Sequence, residues 1–254
     1  MNPLGFNHLF MKNSICIGWD VGGMHGSNNA LAVTQIKNSG AEIVEIKGYR
    51  KPNSAEHLAQ EIAADIIRYS KLFEYTFLAI DAPLRFPSAF VEQMQQLNNV
   101  KPLDFNNQIK NSLAYRESET YLFEKTKKRP LSSTFDQLTS LTLLVLRVFQ
   151  ILKTESTGLN QMPFDKYNLV KGINAFECYP GNLKPGKTER LEQLRFWKWA
   201  SSFLEKAKSA HEKDALLCSL FAYHEAMKPD KLRLKIDDDF ISKASIEGWI
   251  YGFY

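Results

Sequence analysis

The run Thr76-Phe-Leu-Ala-Ile-Asp81-Ala-Pro-Leu84 constrains the fold more than any other stretch of this chain. It is apolar without alternation up to Asp81, and Pro83 ends it. A strand with no polar side is one buried on both faces, as in a parallel sheet covered by helices. Ser14-Ile-Cys-Ile-Gly-Trp-Asp20-Val-Gly-Gly23 has the same design: a β-forming run, a carboxylate at its end, then glycines that cannot continue a regular strand. Two such strands, joined through a helix, bring their terminal acids to the same edge of one sheet. Taken alone, an Asp-x-Gly is a turn acceptor. A charge at the rim of a buried sheet, however, needs a cation or hydrogen bonds.

The segments around these strands fit the same design. Ala30–Ile36 and Ala41–Tyr49, separated by Asn38-Ser-Gly40, read as a hairpin, so that the chain opens as a three-stranded antiparallel meander. Ser54 caps a helix whose stripe of Leu58, Ile62 and Ile66 ends near Tyr69. Leu113–Thr126 reads as helical, with Arg116 and Glu119 at i and i+3 in the manner of a surface pair. Ser132 caps a further helix carrying Leu141, Leu144, Val145, Val148 and Ile151. Ile173-Asn-Ala-Phe-Glu177-Cys-Tyr-Pro180 reads as another strand, Lys187–Lys208 as a helix, and His211–Tyr223 as a helix apolar almost all round. The tail Ile246–Tyr254 reads as a short packed strand, with Trp19 and Trp249 as core residues. No Gly/Ser linker divides the chain, which is therefore read as one domain over 1–254, with a helical insertion over 85–172.

Composition narrows the class. With 44% hydrophobic and 24% charged residues, the chain is an ordinary globular one. A net charge of +4 permits an anionic partner such as nucleic acid without demanding one. Cys16, Cys178 and Cys218 have no paired spacing and suggest a reducing, cytoplasmic setting. Met1–Lys12 lacks a secretory pattern, and Met11 reads as an alternative start. No stretch approaches the ~20 apolar residues of a membrane span. No obligate protein partner is evident.

Four carboxylates, Asp20, Asp81, Glu177 and Asp214, thus stand at strand ends or in the first turn of a buried helix. Each has a plain alternative: a turn acceptor, an edge-strand charge or a partner of the helix dipole. Together they gather negative charge in largely apolar contexts, and a shared metal site answers the need for a counter-charge. All-oxygen ligands suit Mg²⁺ or Mn²⁺, as a pair of ions about 4 Å apart of the kind that drives phosphodiester hydrolysis. His211, three residues before Asp214, is placed to position a water or a leaving group, or to act as a cap. His25 reads as a loop residue, and Glu247 as facing the site or ending a turn.

The order of these elements resembles the ribonuclease H-like fold. The motifs Gly18-Trp-Asp20-Val-Gly-Gly23, Ala79-Ile-Asp81-Ala-Pro-Leu84, Tyr115-Arg116-Glu-Ser-Glu119, Phe176-Glu177-Cys-Tyr-Pro-Gly181, His211-Glu-Lys-Asp214-Ala215 and Glu247-Gly-Trp-Ile-Tyr-Gly252 resemble domain of unknown function family 429, whose members are predicted nucleases. The resemblance implies metal-binding carboxylates at Asp20, Asp81, Glu177 and Asp214, and a second polar set, Arg116 and Glu119, reaching the cleft. It implies a nuclease. Two other classes fit the same residues: a nucleotide-handling relative of the actin and sugar-kinase fold, and a binding module without catalysis.

Overall fold

The computed structural model describes residues 13–23, 28–37, 40–50, 53–96, 109, 111–127, 129–134, 138–155, 158–161, 171–185, 190–227 and 246–252. Met11 and His25 lie outside them. The strands are β1 (Ser14–Asp20), β2 (Ala30–Lys37), β3 (Gly40–Gly48), β4 (Tyr75–Asp81), β5 (Leu159–Gln161), β6 (Gly172–Cys178) and β7 (Ile250–Tyr251). The helices are α1 (Ala55–Ser70), α2 (Ser88–Gln95), α3 (Glu117–Thr126), α4 (Leu138–Glu155), α5 (Pro180–Leu183), α6 (Leu191–Leu204) and α7 (Ala210–Met227).

One mixed sheet holds these strands in the order β3-β2-β1-β4-β6-β5, with β7 beside the end of β6. The first three strands are the antiparallel meander, and from β1 onward every pairing is parallel. The unalternating runs are buried as expected: every residue of β1 and β6, and all of β4 between its two ends. Alternate side chains point to opposite faces. Ile15, Ile17, Trp19, Leu78, Ile80, Ile173 and Ala175 pack under α1 and α4, whereas Cys16, Phe77, Ala79, Phe176 and Cys178 pack under α6 and α7. The protein is thus α/β, a mixed sheet between helices. No helix among the described residues is long and apolar enough to cross a membrane.

Local signals explain most boundaries. Ser54 accepts from the His57 N–H at 3.1 Å and starts α1 as a side-chain cap. Helicity predicted from Leu113 begins only at Glu117, because Leu113 and Ala114 form a turn on Asn111. Within the stretch 85–172, β5 joins the sheet beside β6. The short helix α5 follows β6 where Pro180 supplies a preset first turn. The three cysteines are free and buried. Cys178 and Cys218, unpaired by spacing, meet with Sγ atoms 3.4 Å apart, and burial raises both thiols above their ordinary range. They are packing groups rather than nucleophiles.

Helix α7 lies directly on β1 at Gly18. A Cβ added at Gly18 would lie 2.0 Å from the Ala215 carbonyl oxygen and 2.2 Å from the Ser219 nitrogen. Only glycine lets the helix lie on the strand at this depth. Ser219 then bonds across the junction, its Oγ 3.1 Å from the Cys16 carbonyl oxygen and 2.7 Å from Thr34 Oγ1. Gly18→Ala should lower the free energy of unfolding by about 3 kcal/mol, the upper range for an overpacked core. Gly181→Ala, where the added Cβ meets nothing within 4 Å, should change it by less than about 0.5 kcal/mol. Urea unfolding of the two variants checks the pair.

Candidate functional site

Parallel pairing of β1 with β4 sets Asp20 directly opposite Asp81. Their carboxyl groups hydrogen-bond to each other, with Asp81 the donor. Burial, followed by the charges of Asp20 and Asp214, raises Asp81 well above the carboxylate range. Asp20 is raised to about 6, first by burial, with Asp214 adding to the shift and His211 opposing it. Two acids in one row at the end of neighbouring strands therefore share a proton, since ionising both crowds like charges in a dry place.

The docking of α7 on Gly18 brings two more predicted residues here. Asp214 lies close enough to raise both strand acids through its charge. His211 holds Asp20, Nδ1 to Oδ2, at 2.8 Å. A further cation comes from the turn after α5: Lys184 Nζ lies 2.8 Å from Asp214 Oδ1. The Lys184 and His211 side chains are 43% and 44% exposed, so this end of the site opens to solvent. Lys184 carries no periodicity or motif signal, being one lysine in a polar turn. The glycines after Asp20 are fixed by buried Asn29, which donates to the Gly23 carbonyl at 3.0 Å and accepts from the Gly22 N–H at 3.1 Å.

Glu177 is placed differently. In the parallel register Trp19 pairs with Ile80, and Ile80 with Glu177. That row faces α1 and α4, the face opposite to Asp20 and Asp81. Glu177 meets Arg116 there: Nη2 donates to Oε1 at 2.7 Å and Nη1 to Oε2 at 2.8 Å. Arg116 also grips Glu119, through Nε at 3.0 Å and Nη2 at 2.7 Å. Arg116 and Glu119, a surface pair by their spacing, have side chains with no solvent exposure at all. Burial alone pulls the guanidinium pKa down, but Glu119 and Glu177 overcome this and hold it well above its ordinary value. Glu247 completes this corner. Its Oε1 accepts from the Ser88 N–H and Oγ at 2.8 and 2.7 Å, and its Oε2 from the Glu117 N–H at 3.0 Å. It thus caps α2 and α3 together.

The structure therefore brings Asp20, Asp81, Asp214 and His211 together, and holds Glu177, Arg116 and Glu119 as a separate group. No family model, curated protein or solved structure matches this chain. The chemistry of the site rests on its own geometry. As they stand, no three Asp, Glu, His or Cys side chains among the described residues are disposed to hold a metal ion. The donor set nevertheless suits a hard divalent cation in kind, for Asp20 and Asp81 are oxygen donors whose charged forms are disfavoured by burial first and by their neighbours' charges second. A cation would take the place of the shared proton.

Asp20 also links the site to stability. Its ordinary value of 3.8 rises to about 6 in the folded chain. The protonated form is favoured by folding, so this contribution is complete below about pH 4 and is lost as pH rises through about 6. At about 1.36 kcal/mol per pKa unit, the wild type should lose about 3 kcal/mol across that window relative to Asp20→Asn. Chemical unfolding of both proteins from pH 4 to pH 7.5 without added metal should show the variant overtaking the wild type. A constant difference across the range would show that Asp20 titrates normally.

Proposed function

We infer that this protein is a metal-dependent phosphodiesterase acting on nucleic acid, built on a ribonuclease H-like sheet. The observation that carries the reading is the in-register pair Asp20 and Asp81, one buried and one half-buried carboxyl group forced to share a proton at the open end of the sheet. The antiparallel meander followed by parallel strands supports the fold assignment. The six ordered motifs support membership of domain of unknown function family 429.

In this reading Asp20, Asp81 and Asp214 are the ligands of Mg²⁺ or Mn²⁺. The bound ion supplies Lewis acidity toward a phosphoryl oxygen and a more acidic water. The chain supplies the rest. His211 is oriented by its Nδ1 contact with Asp20, which leaves Nε2 to exchange a proton with a water or a leaving oxygen. Lys184 uses one of its three donors on Asp214 and has donors left for a phosphate oxygen. Both reach solvent, where a phosphodiester would enter.

The test is hydrolysis of single-stranded, duplex, hybrid and branched substrates with Mg²⁺ or Mn²⁺. Asp20→Asn and Asp81→Asn should abolish cutting. Lys184→Ala should raise KM about tenfold, the loss of one charged contact to phosphate. No cutting of any substrate, or full cutting by both aspartate variants, rules the activity out.

A further inference from the structure

The Arg116 guanidinium spends every donor it has. Four of its N–H groups go to Glu119 and Glu177, and the fifth, from Nη1, reaches the Glu247 carbonyl oxygen at 3.2 Å. Both Glu177 oxygens are likewise engaged, because Oε2 also accepts the Leu84 backbone N–H at 3.2 Å. Leu84 belongs to the turn that leaves β4 directly after Asp81. The polar chain runs from α3 through Arg116 and Glu177 to the backbone that aims Asp81.

We propose that Glu177 is a positioning residue, which, clamped by Arg116, fixes the turn after β4 and so sets Asp81 against Asp20, and that it is not itself an ion ligand. This rests on the ion-dependent reading of the site. Three observations carry it: the strand row that turns Glu177 to the face away from the aspartates, the engagement of both its oxygens by Arg116 and Leu84, and the complete burial of the clamp. Arginine suits the task because its planar fork meets a carboxylate with two parallel bonds, which a lysine cannot do. Arg116 carries one positive charge against the two negative charges of Glu119 and Glu177. Glu177 lies close enough for its charge to act on Asp81, and so favours a cation there through space rather than by coordination.

Arg116→Lys and Glu177→Gln, compared with the wild type and Asp81→Asn, test the proposal by amide hydrogen exchange and by Mn²⁺ titration calorimetry. In Arg116→Lys the Leu84 amide should exchange at least about tenfold faster while amides of β1 keep their protection, a local opening rather than global loss of stability. Mn²⁺ affinity should fall by about tenfold in Arg116→Lys and Glu177→Gln, as for residues behind the ligands. It should fall beyond detection in Asp81→Asn. A folded Arg116→Lys with unchanged Leu84 exchange overturns the proposal. So does a Glu177→Gln that loses Mn²⁺ as completely as Asp81→Asn. A wild type that binds no Mn²⁺ removes the ion reading, and the exchange result still decides the positioning role. Should Arg116→Lys not fold, Glu177→Gln carries the exchange measurement, since an amide N–H set against the guanidinium breaks the fork.

Discussion

The parallel register of β1 against β4 is the constraint from which the rest of the structure follows. It pairs seven residues of one strand with seven of the other and ends on Asp20 opposite Asp81. A slip by one position would send one aspartate to the opposite face and leave a buried charge without a neighbour. The register is secured from both sides. Apolar side chains of each strand fill two separate cores, and Gly18 lets α7 lie directly on β1. The helix then delivers His211 and Asp214 to the pair that the strands created.

The same edge of the sheet is divided in two by the pleat. On one face three aspartates crowd together and are met by His211 and Lys184 at the solvent boundary. On the other, two glutamates and an arginine form a closed group with no solvent exposure. The first group carries charge that a protein interior resists. The second spends its charge inside its own hydrogen bonds. One is suited to exchange partners, and the other to hold still.

Much of this was legible in the sequence. The doubly buried strands, the meander and the helix capped by Ser54 follow from residue pattern alone, as does the delivery of Asp20 and Asp81 to one edge. The place of Glu177 was not, because its face depends on the register between β4 and β6, and a run that is apolar on both sides gives no alternation from which to read it. The burial of Arg116 was hidden for a related reason. An Arg and a Glu three residues apart suit an exposed helix, whereas here Arg116 precedes the helix and Glu119 folds back onto its backbone N–H. Lys184 and Asn29 gave no signal, since each acts through a partner that is distant or set by a turn.

Glu247 has a consequence for the order in which the protein can form. Its carboxylate caps α2 at Ser88 and α3 at Glu117, partners 159 and 130 positions away along the chain, and its carbonyl oxygen takes the last donor of Arg116. During synthesis these helices therefore emerge long before the residue that completes their first turns. Until then both helix starts and one buried guanidinium donor must wait on water. The meander and β4 can close early from local sequence, whereas the corner behind Asp81 is sealed only when residue 247 arrives.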